Sequence, residues 1–224
     1  MVSQAPSTPS PAPERSARAP SGPGRPKDLA KRAAILDAAK ALFAREGFAG
    51  VSMDRIAAEA GVSKLTVYSH FGDKESLFSE SIRTLCEEML PDEFFKVQAD
   101  GTLRGQLRHI AEGFFSLVVS DEAINTHRIM LTPGQADQGL RQIFWEAGPK
   151  RTHDAFAAFL RTAVEEGKLE IADVDCAAKQ FFTLLKGELY GRMMCGICDK
   201  PGPDEMTRHL DATVDMFLRA YAPR

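Results

Sequence analysis

No apolar run in the 224-residue sequence approaches the roughly 18 residues needed to cross a bilayer. The longest apolar patch, residues 114–119, is interrupted by Ser116. The beginning of the sequence has no apolar signal-peptide core, so a cytoplasmic protein with no membrane partner is expected. Four cysteines are too few for a disulfide scaffold, and the chain is long enough to bury a core without staples. Positive charge is not in excess: 28 Lys and Arg face 31 Asp and Glu, a net −3. Taken alone, that sum argues against a simple basic nucleic-acid binder, although its distribution matters more than its total. Period-2 strand patterns and internal repeats are missing as well. So are a nucleophile elbow, a P-loop, a dinucleotide fingerprint and paired metal ligands. His109, His127, His153 and His209 have no partners at diagnostic spacing. An all-helical enzyme is therefore the weakest reading; no enzymatic activity, cofactor or metal is expected.

What is present is a soluble globular balance, 44% apolar and 26% charged. Residues 1–27 stand apart. They are rich in Pro, Ala and Ser and carry Arg15, Arg18, Arg25 and Lys27 against Glu14 alone, a charge of +3. A disordered basic arm is expected there. From residue 28 onward the pattern is helical nearly throughout, and the expected fold is all-α. Ile35, Ala38, Ala39, Leu42 and Phe43 share one face of a helix over 29–45, stopped by Gly47. Ser52 reads as the N-cap of a helix over 53–60, with Val51 and Ile56 as a hydrophobic staple and Gly61 as its stop. The same grammar repeats at once: Ser63 caps a helix over 64–70, stapled by Val62 and Val67. Asp73 caps a longer helix that runs towards Met89. Further helices are expected over 103–118, 122–131, 135–146, 149–166, 173–194 and 204–221, with Gly148 and Gly167 as breaks.

Two short capped helices joined by a tight glycine turn form a helix-turn-helix, whose second helix must fit a groove about 12 Å wide. Ile56, Ala57, Ala60 and Val67 are expected to pack inward, leaving Lys64, Thr66, Tyr68, Ser69 and His70 outside. Gly61-Val62-Ser63-Lys64-Leu65-Thr66-Val67-Tyr68-Ser69-His70-Phe71 and Asp73-Lys74-Glu75-Ser76-Leu77 resemble the TetR family of transcriptional regulators. Ile35-Leu36-Asp37-Ala38-Ala39, Phe43, Gly47-Phe48 and Ile56-Ala57 share the resemblance, which covers about residues 29–78. It implies a phosphate contact for Ser52 and base-edge approach for Lys64, Leu65 and Thr66. It implies DNA-backbone contacts for Tyr68 and His70 and a phosphate clamp for Lys74, with Ser69 on the same surface. Leu65 departs from the small residue or proline often found there and suits a thymine methyl. Alone, Lys64, Tyr68 or Lys74 would read as ordinary surface chemistry; the shared spacing favours DNA. Arg25, within Gly24-Arg25-Pro26-Lys27, reads equally as a minor-groove contact or as part of a solubilising tail.

The TetR resemblance also implies a larger C-terminal domain that dimerises and holds a small molecule. The expected division is an arm over 1–27, a DNA-binding domain over 28–75 and an effector-binding and dimerisation domain over 76–224. From about Thr102 the sequence is similar to the AefR-like branch, on Arg128, Pro133, Phe156, Phe159, Glu166-Gly167-Lys168-Leu169, Asp173 and Phe181-Phe182. The implied partners are double-stranded operator DNA, a second copy of the chain and a small, hydrophobic effector. Phe114, Phe115, His127, Met130, Phe144, Trp145 and Phe181 are the pocket candidates, most of the apolar ones also reading as core. Phe182, Leu185, Leu189, Met193, Leu210, Val214, Phe217 and Tyr221 are the candidate dimer seam, as a mixture with monomer core. Cys195-Gly-Ile-Cys198 leaves a redox- or metal-responsive regulator as an alternative on the same scaffold, with ordinary free thiols the plainer reading. Residues 28–90 hold eight basic and ten acidic side chains, so the few cations aimed at DNA must work with the acids turned away.

Overall fold

The computed structural model describes residues 25–96 and 101–223, with side chains from Asp28 onward. Ten α-helices make up the described residues, with no strand among them: α1 (Arg25–Gly50), α2 (Met53–Glu59), α3 (Lys64–Phe71), α4 (Lys74–Met89), α5 (Leu103–Val118), α6 (Asp121–Leu131), α7 (Gln138–Trp145), α8 (Arg151–Glu165), α9 (Val174–Met194) and α10 (Pro203–Tyr221). No helix among the described residues is long and apolar enough to cross a membrane.

The sequence places most of these ends through local chemistry. Ser52, Ser63, Asp73, Thr102, Ser120, Asp137 and Asp173 each cap a helix, the side-chain oxygen accepting a backbone N–H three residues on. Two expectations need correction. Helix α1 begins at Arg25, three residues inside the expected arm; its regular run breaks at Gly47 as expected, where φ +72° and ψ 167° are non-helical, before the last residues to Gly50. The rest of the arm and the side chain of Arg25 lie outside the described residues. Gly148, by contrast, is no break: a π-helical turn, Glu146–Lys150, joins α7 directly to α8. Gly148 allows a close approach of α4: a Cβ there would lie 3.1 Å from Ile82 Cγ2 and 3.2 Å from Cys86 Sγ, so those side chains would have to give way. The wider turn accommodates Pro149, which has no N–H to give to an α-helical ladder.

Two apolar clusters organise the chain. The first joins α1 to α4 through Ile35, Leu42, Phe43, Ile56, Val67 and Phe78, and extends to Met130 of α6 and Leu140 of α7. The second gathers α5, α8, α9 and α10 around a ladder of rings. Phe156 stacks on Phe181 at 4.7 Å, and Phe181 meets Phe217 edge-on at 4.9 Å. Helix α4 bridges the two clusters: Leu77, Phe78 and Ile82 belong to the first, while Leu85, Cys86 and Met89 pack on the second. Arg128 of α6 donates to the carbonyls of Met193 and Met194, tying α6 to the C-terminal end of α9.

The residues expected as a mixture of dimer seam and monomer core fall mostly in the core. Phe182, Leu185, Met193, Leu210, Val214 and Phe217 are buried inside the single chain, while Leu189 and Tyr221 are half-buried. Their strong stripes serve the chain's own core. The outer faces of α9 and α10 instead show Leu184, 39% exposed, and Met216, 48% exposed. Around them lie exposed Glu188, Gly191, Arg208, Ala212 and Ala220.

Candidate nucleic-acid interface and regulatory cavity

Helices α2 and α3 meet at a turn that needs glycine: Gly61 has φ +66°, and nothing lies within 4 Å of where its Cβ would be. The residue is there for its backbone conformation, not for want of space. Below the turn, Val51, Ile56 and Val67 are buried, so both staples close against α1. Ser63 Oγ accepts the Thr66 N–H at 3.1 Å and lies 2.8 Å from the Thr66 hydroxyl. These bonds fix the first turn of α3 before any partner arrives.

Helix α3 is divided cleanly by its 3.6-residue period. Val67 and Phe71 face the core, while Lys64, Leu65, Tyr68 and Ser69 form the outer face. Leu65 is 78% exposed and Tyr68 42% exposed, unusual positions for large side chains in a folded chain. The cations around them are restrained. Lys64 Nζ lies 2.8 Å from Asp54 Oδ2, and Asp54 raises the Lys64 pKa above the ordinary lysine value. Arg55, also exposed and missed in the sequence, reaches Glu46 at 3.3 Å. The only sequence signal for Arg55 is its place one turn after the Ser52 cap, whose Oγ accepts the Arg55 N–H.

The remaining expected DNA residues divide between surface and scaffold. Ser52 is exposed and already caps α2. The Ser69 hydroxyl donates to the Thr66 carbonyl at 2.8 Å. His70 is turned towards α1, its Nε2 2.9 Å from Asp28 Oδ1 and its side chain 13% exposed. Lys74 donates to the carbonyls of Phe48 and Val51 at 2.9 and 3.0 Å, and sits 4.1 Å over the Phe48 ring. It therefore anchors the α1–α2 junction with two of its three N–H donors. Two acids of α4 are held by cations of α1 and α4, Glu80 by Arg32 and Arg83 and Glu88 by Lys40, whereas Asp54 stays beside Lys64. The Arg83 hydrogen bond holds the Glu80 carboxyl below the usual carboxylate range.

A second site lies where α4 to α9 converge. Its walls are Ile82, Leu85 and Cys86 of α4, Phe114, Leu117 and Val118 of α5, and Ala123, Thr126 and His127 of α6. Phe144 of α7, Gly148 and Pro149 of the π turn, Thr152 and His153 of α8, and Lys186 of α9 close it. The space between them is about 570 Å³ including its mouth. It is a largely apolar cavity of the size that holds small molecules. Of the expected pocket residues, Phe114, His127 and Phe144 line it. The other four do not. Phe115 and Phe181 are fully buried in the ring-filled core, Met130 belongs to the N-terminal cluster, and Trp145 is 44% exposed, edge-on to His153.

Burial lowers the pKa of His127, whose Nδ1 donates to the Ala123 carbonyl at 2.7 Å in the neutral ring. Burial also lowers His153 and Lys186, while it pushes the Cys86 thiol up to about 11 and the Tyr190 hydroxyl up to about 12. Every shift favours the uncharged form, as a low-dielectric site requires. Cys195 is exposed and Cys198 half-buried, both as free thiols near the end of α9. Among the described residues, no group of three His, Cys, Asp or Glu side chains is placed to hold a metal ion.

Comparison with known proteins follows this division of the chain. Residues 35–80 match the bacterial regulatory proteins of the tetR family, and residues 105–223 match the C-terminal domain of AefR-like transcriptional repressors. The HTH-type transcriptional repressor SCO4008 of Streptomyces coelicolor is 50% identical over 50 residues, 22% of this chain and 26% of that protein. The uncharacterised HTH-type regulator YhgD of Bacillus subtilis is 26% identical over 136 residues, 59% of this chain and 66% of YhgD. The matches thus span about a quarter and about two-thirds of those two relatives. A protein from Mesorhizobium loti, described as a TetR-family transcriptional regulator, superposes with a TM-score of 0.74 at 26% identity, covering 88% of this chain and 99% of that one. The flavonoid-responsive regulator FrrA superposes with a TM-score of 0.68 at 32% identity, covering 87% and 98%. The chain belongs to the TetR family of helix-turn-helix transcriptional regulators, with a C-terminal domain of the AefR-like repressor type.

Proposed function

We propose that the protein is a cytoplasmic, homodimeric repressor that binds a palindromic operator through α3 of each subunit and leaves it when a small, mostly apolar ligand fills the cavity. The observation that carries this reading is the outer face of α3, where Leu65 and Tyr68 are exposed beside Lys64 and Ser69 on a helix whose opposite face is buried. A helix of this length can enter a major groove, with Leu65 towards a thymine methyl and Lys64 and Thr66 towards base edges. Ser52, Tyr68, His70, Lys74 and Arg55 are the candidate backbone contacts, and Arg25 remains a candidate for the minor groove.

One recognition helix reads too few base pairs for specificity in a genome, so two subunits are needed. The exposed Leu184 and Met216 stripe on α9 and α10 is the proposed seam. Residues 28–75 act as the DNA-binding domain and 76–224 as the effector and dimerisation domain. Helix α4 couples them: it starts at Lys74 directly after α3 and supplies Ile82, Leu85 and Cys86 to the cavity wall. A ligand that favours one position of α4 changes the separation of the two recognition helices, and DNA weakens ligand binding by the same factor. The likeness to FrrA, a regulator named for its response to flavonoids, supports a small organic effector.

Selection of bound duplexes from a random pool tests the proposal. Enrichment of an inverted repeat bound by two chains is expected. Failure to enrich any sequence, or enrichment of a single half-site bound by one chain, would reject it.

A further inference from the structure

Lys186 is the only lysine or arginine among the residues lining the cavity, and no aspartate or glutamate lines it. Among the described residues the ammonium has no salt bridge or hydrogen bond; it lies over the Tyr190 ring, 5.6 Å from its centroid. The acid closest in sequence to the lining residue His153 is Asp154, and it is held by Lys150 at 2.6 Å. The cavity therefore contains a half-buried cation without a counter-ion, surrounded by Phe114, Leu117, Val118 and Phe144. A cation left this way is costly to bury and gains most from a ligand that supplies the missing charge.

The histidines do not replace Lys186 as an anchor. His127 uses Nδ1 on the Ala123 carbonyl, so the neutral ring offers an acceptor at its other nitrogen. Lys186 itself opposes protonation of both His127 and His153.

We infer that the cavity takes a small, largely apolar organic acid whose carboxylate is held by Lys186, with its apolar body against Phe114 and Phe144. This rests on the effector-pocket reading above and specifies its ligand class. The carboxylate forms a charge-assisted hydrogen bond with the ammonium, about twice as strong as a neutral one, in a site that excludes most water.

The test is calorimetric titration of the full chain with 2-naphthoate, the neutral 2-naphthamide and the cationic 2-naphthylmethylamine. Wild type should bind the carboxylate at least about tenfold more tightly than the amide, and the amine least. K186M should retain amide binding and lose the preference for the carboxylate; K186R should keep it. Removing a half-buried charge should leave the melting temperature of K186M unchanged or raised, which checks that it folds. Equal binding of carboxylate and amide by wild type, or a preference that survives in K186M, overturns the anion assignment and leaves the pocket reading intact. No heat from any of the three with wild type overturns both.

Discussion

Replacing Lys74 with alanine separates anchoring from DNA contact. In the free protein the ammonium donates to the Phe48 and Val51 carbonyls and lies over the Phe48 ring. Hydrogen bonds from charged donors contribute about 1.5–3 kcal/mol each when buried. Lys74 is half-buried, so solvent screening reduces the combined loss to about 1–2 kcal/mol. For a chain of this size, that lowers Tm by about 2–4 °C per kcal/mol. The third N–H remains for a phosphate. Each phosphate contact contributes about 0.9 to the slope of log K against log salt. A dimer that loses one contact per subunit should therefore show a slope smaller by about 1.8. The assay is fluorescence anisotropy on a random-sequence duplex between about 50 and 200 mM salt, beside a thermal melt. A lowered Tm with an unchanged slope would refute the phosphate contact. An unchanged Tm would refute the anchoring derived from the α1–α2 junction.

Three further outcomes follow from the geometry. Met216→Glu places a charge on the exposed α9–α10 face without disturbing the core, so light scattering should show monomers with a near-native melt; a persistent dimer would move the seam elsewhere. His127 and His153 have lowered pKa values, so below about pH 6.5 the unfolded chain binds more protons than the folded one. Stability should be full above that pH and fall as pH drops through the lowered values, by up to about 1.4 kcal/mol per pH unit per proton; chemical denaturation of His127→Phe from pH 5 to 7 should show a shallower fall, and an unchanged profile would exclude His127. Cys86 is half-buried in the cavity wall with its thiol pKa pushed up to about 11, whereas Cys176 and Cys195 are exposed. Iodoacetamide at pH 8 should label the exposed pair well before Cys86, as read by peptide mass mapping.

The N-terminal helices are legible because their signals are local. Ser52, Ser63 and Asp73 cap where their spacing says, and Gly61 turns where a left-handed residue is needed. What the sequence concealed depends on distant partners. Lys74 and His70 look like free surface groups until the end of α1 and Asp28 are placed beside them. Phe182, Leu185 and Phe217 belong to strong stripes, but a stripe marks a buried face without saying whose core it enters. The outer face around Leu184 and Met216 is diluted by glycine, alanine and charge, so it carries no clear period. The cavity draws residues from six helices and the π turn, which explains why Phe114, His127 and Phe144 could be picked out but Lys186 and His153 were not. Gly148-Pro149 reads as a break from composition alone; only the approach of α4 shows why the chain continues through a wide turn.

Sequence discrimination by the outer face of α3 is tested most directly with the Leu65→Ala/Thr66→Ala variant. Affinities of wild type and variant are measured for the selected operator and for a scrambled duplex at fixed salt. Leu65 is exposed and Thr66 half-buried on the solvent side, so the variant should fold with nearly native stability. Its affinity for the scrambled duplex should match wild type, because the backbone contacts are intact. Its preference for the operator should fall by at least about tenfold, as expected when base-edge contacts worth about 1–3 kcal/mol are lost in each half-site. An operator preference that survives both substitutions would contradict the assignment of α3 as the recognition helix.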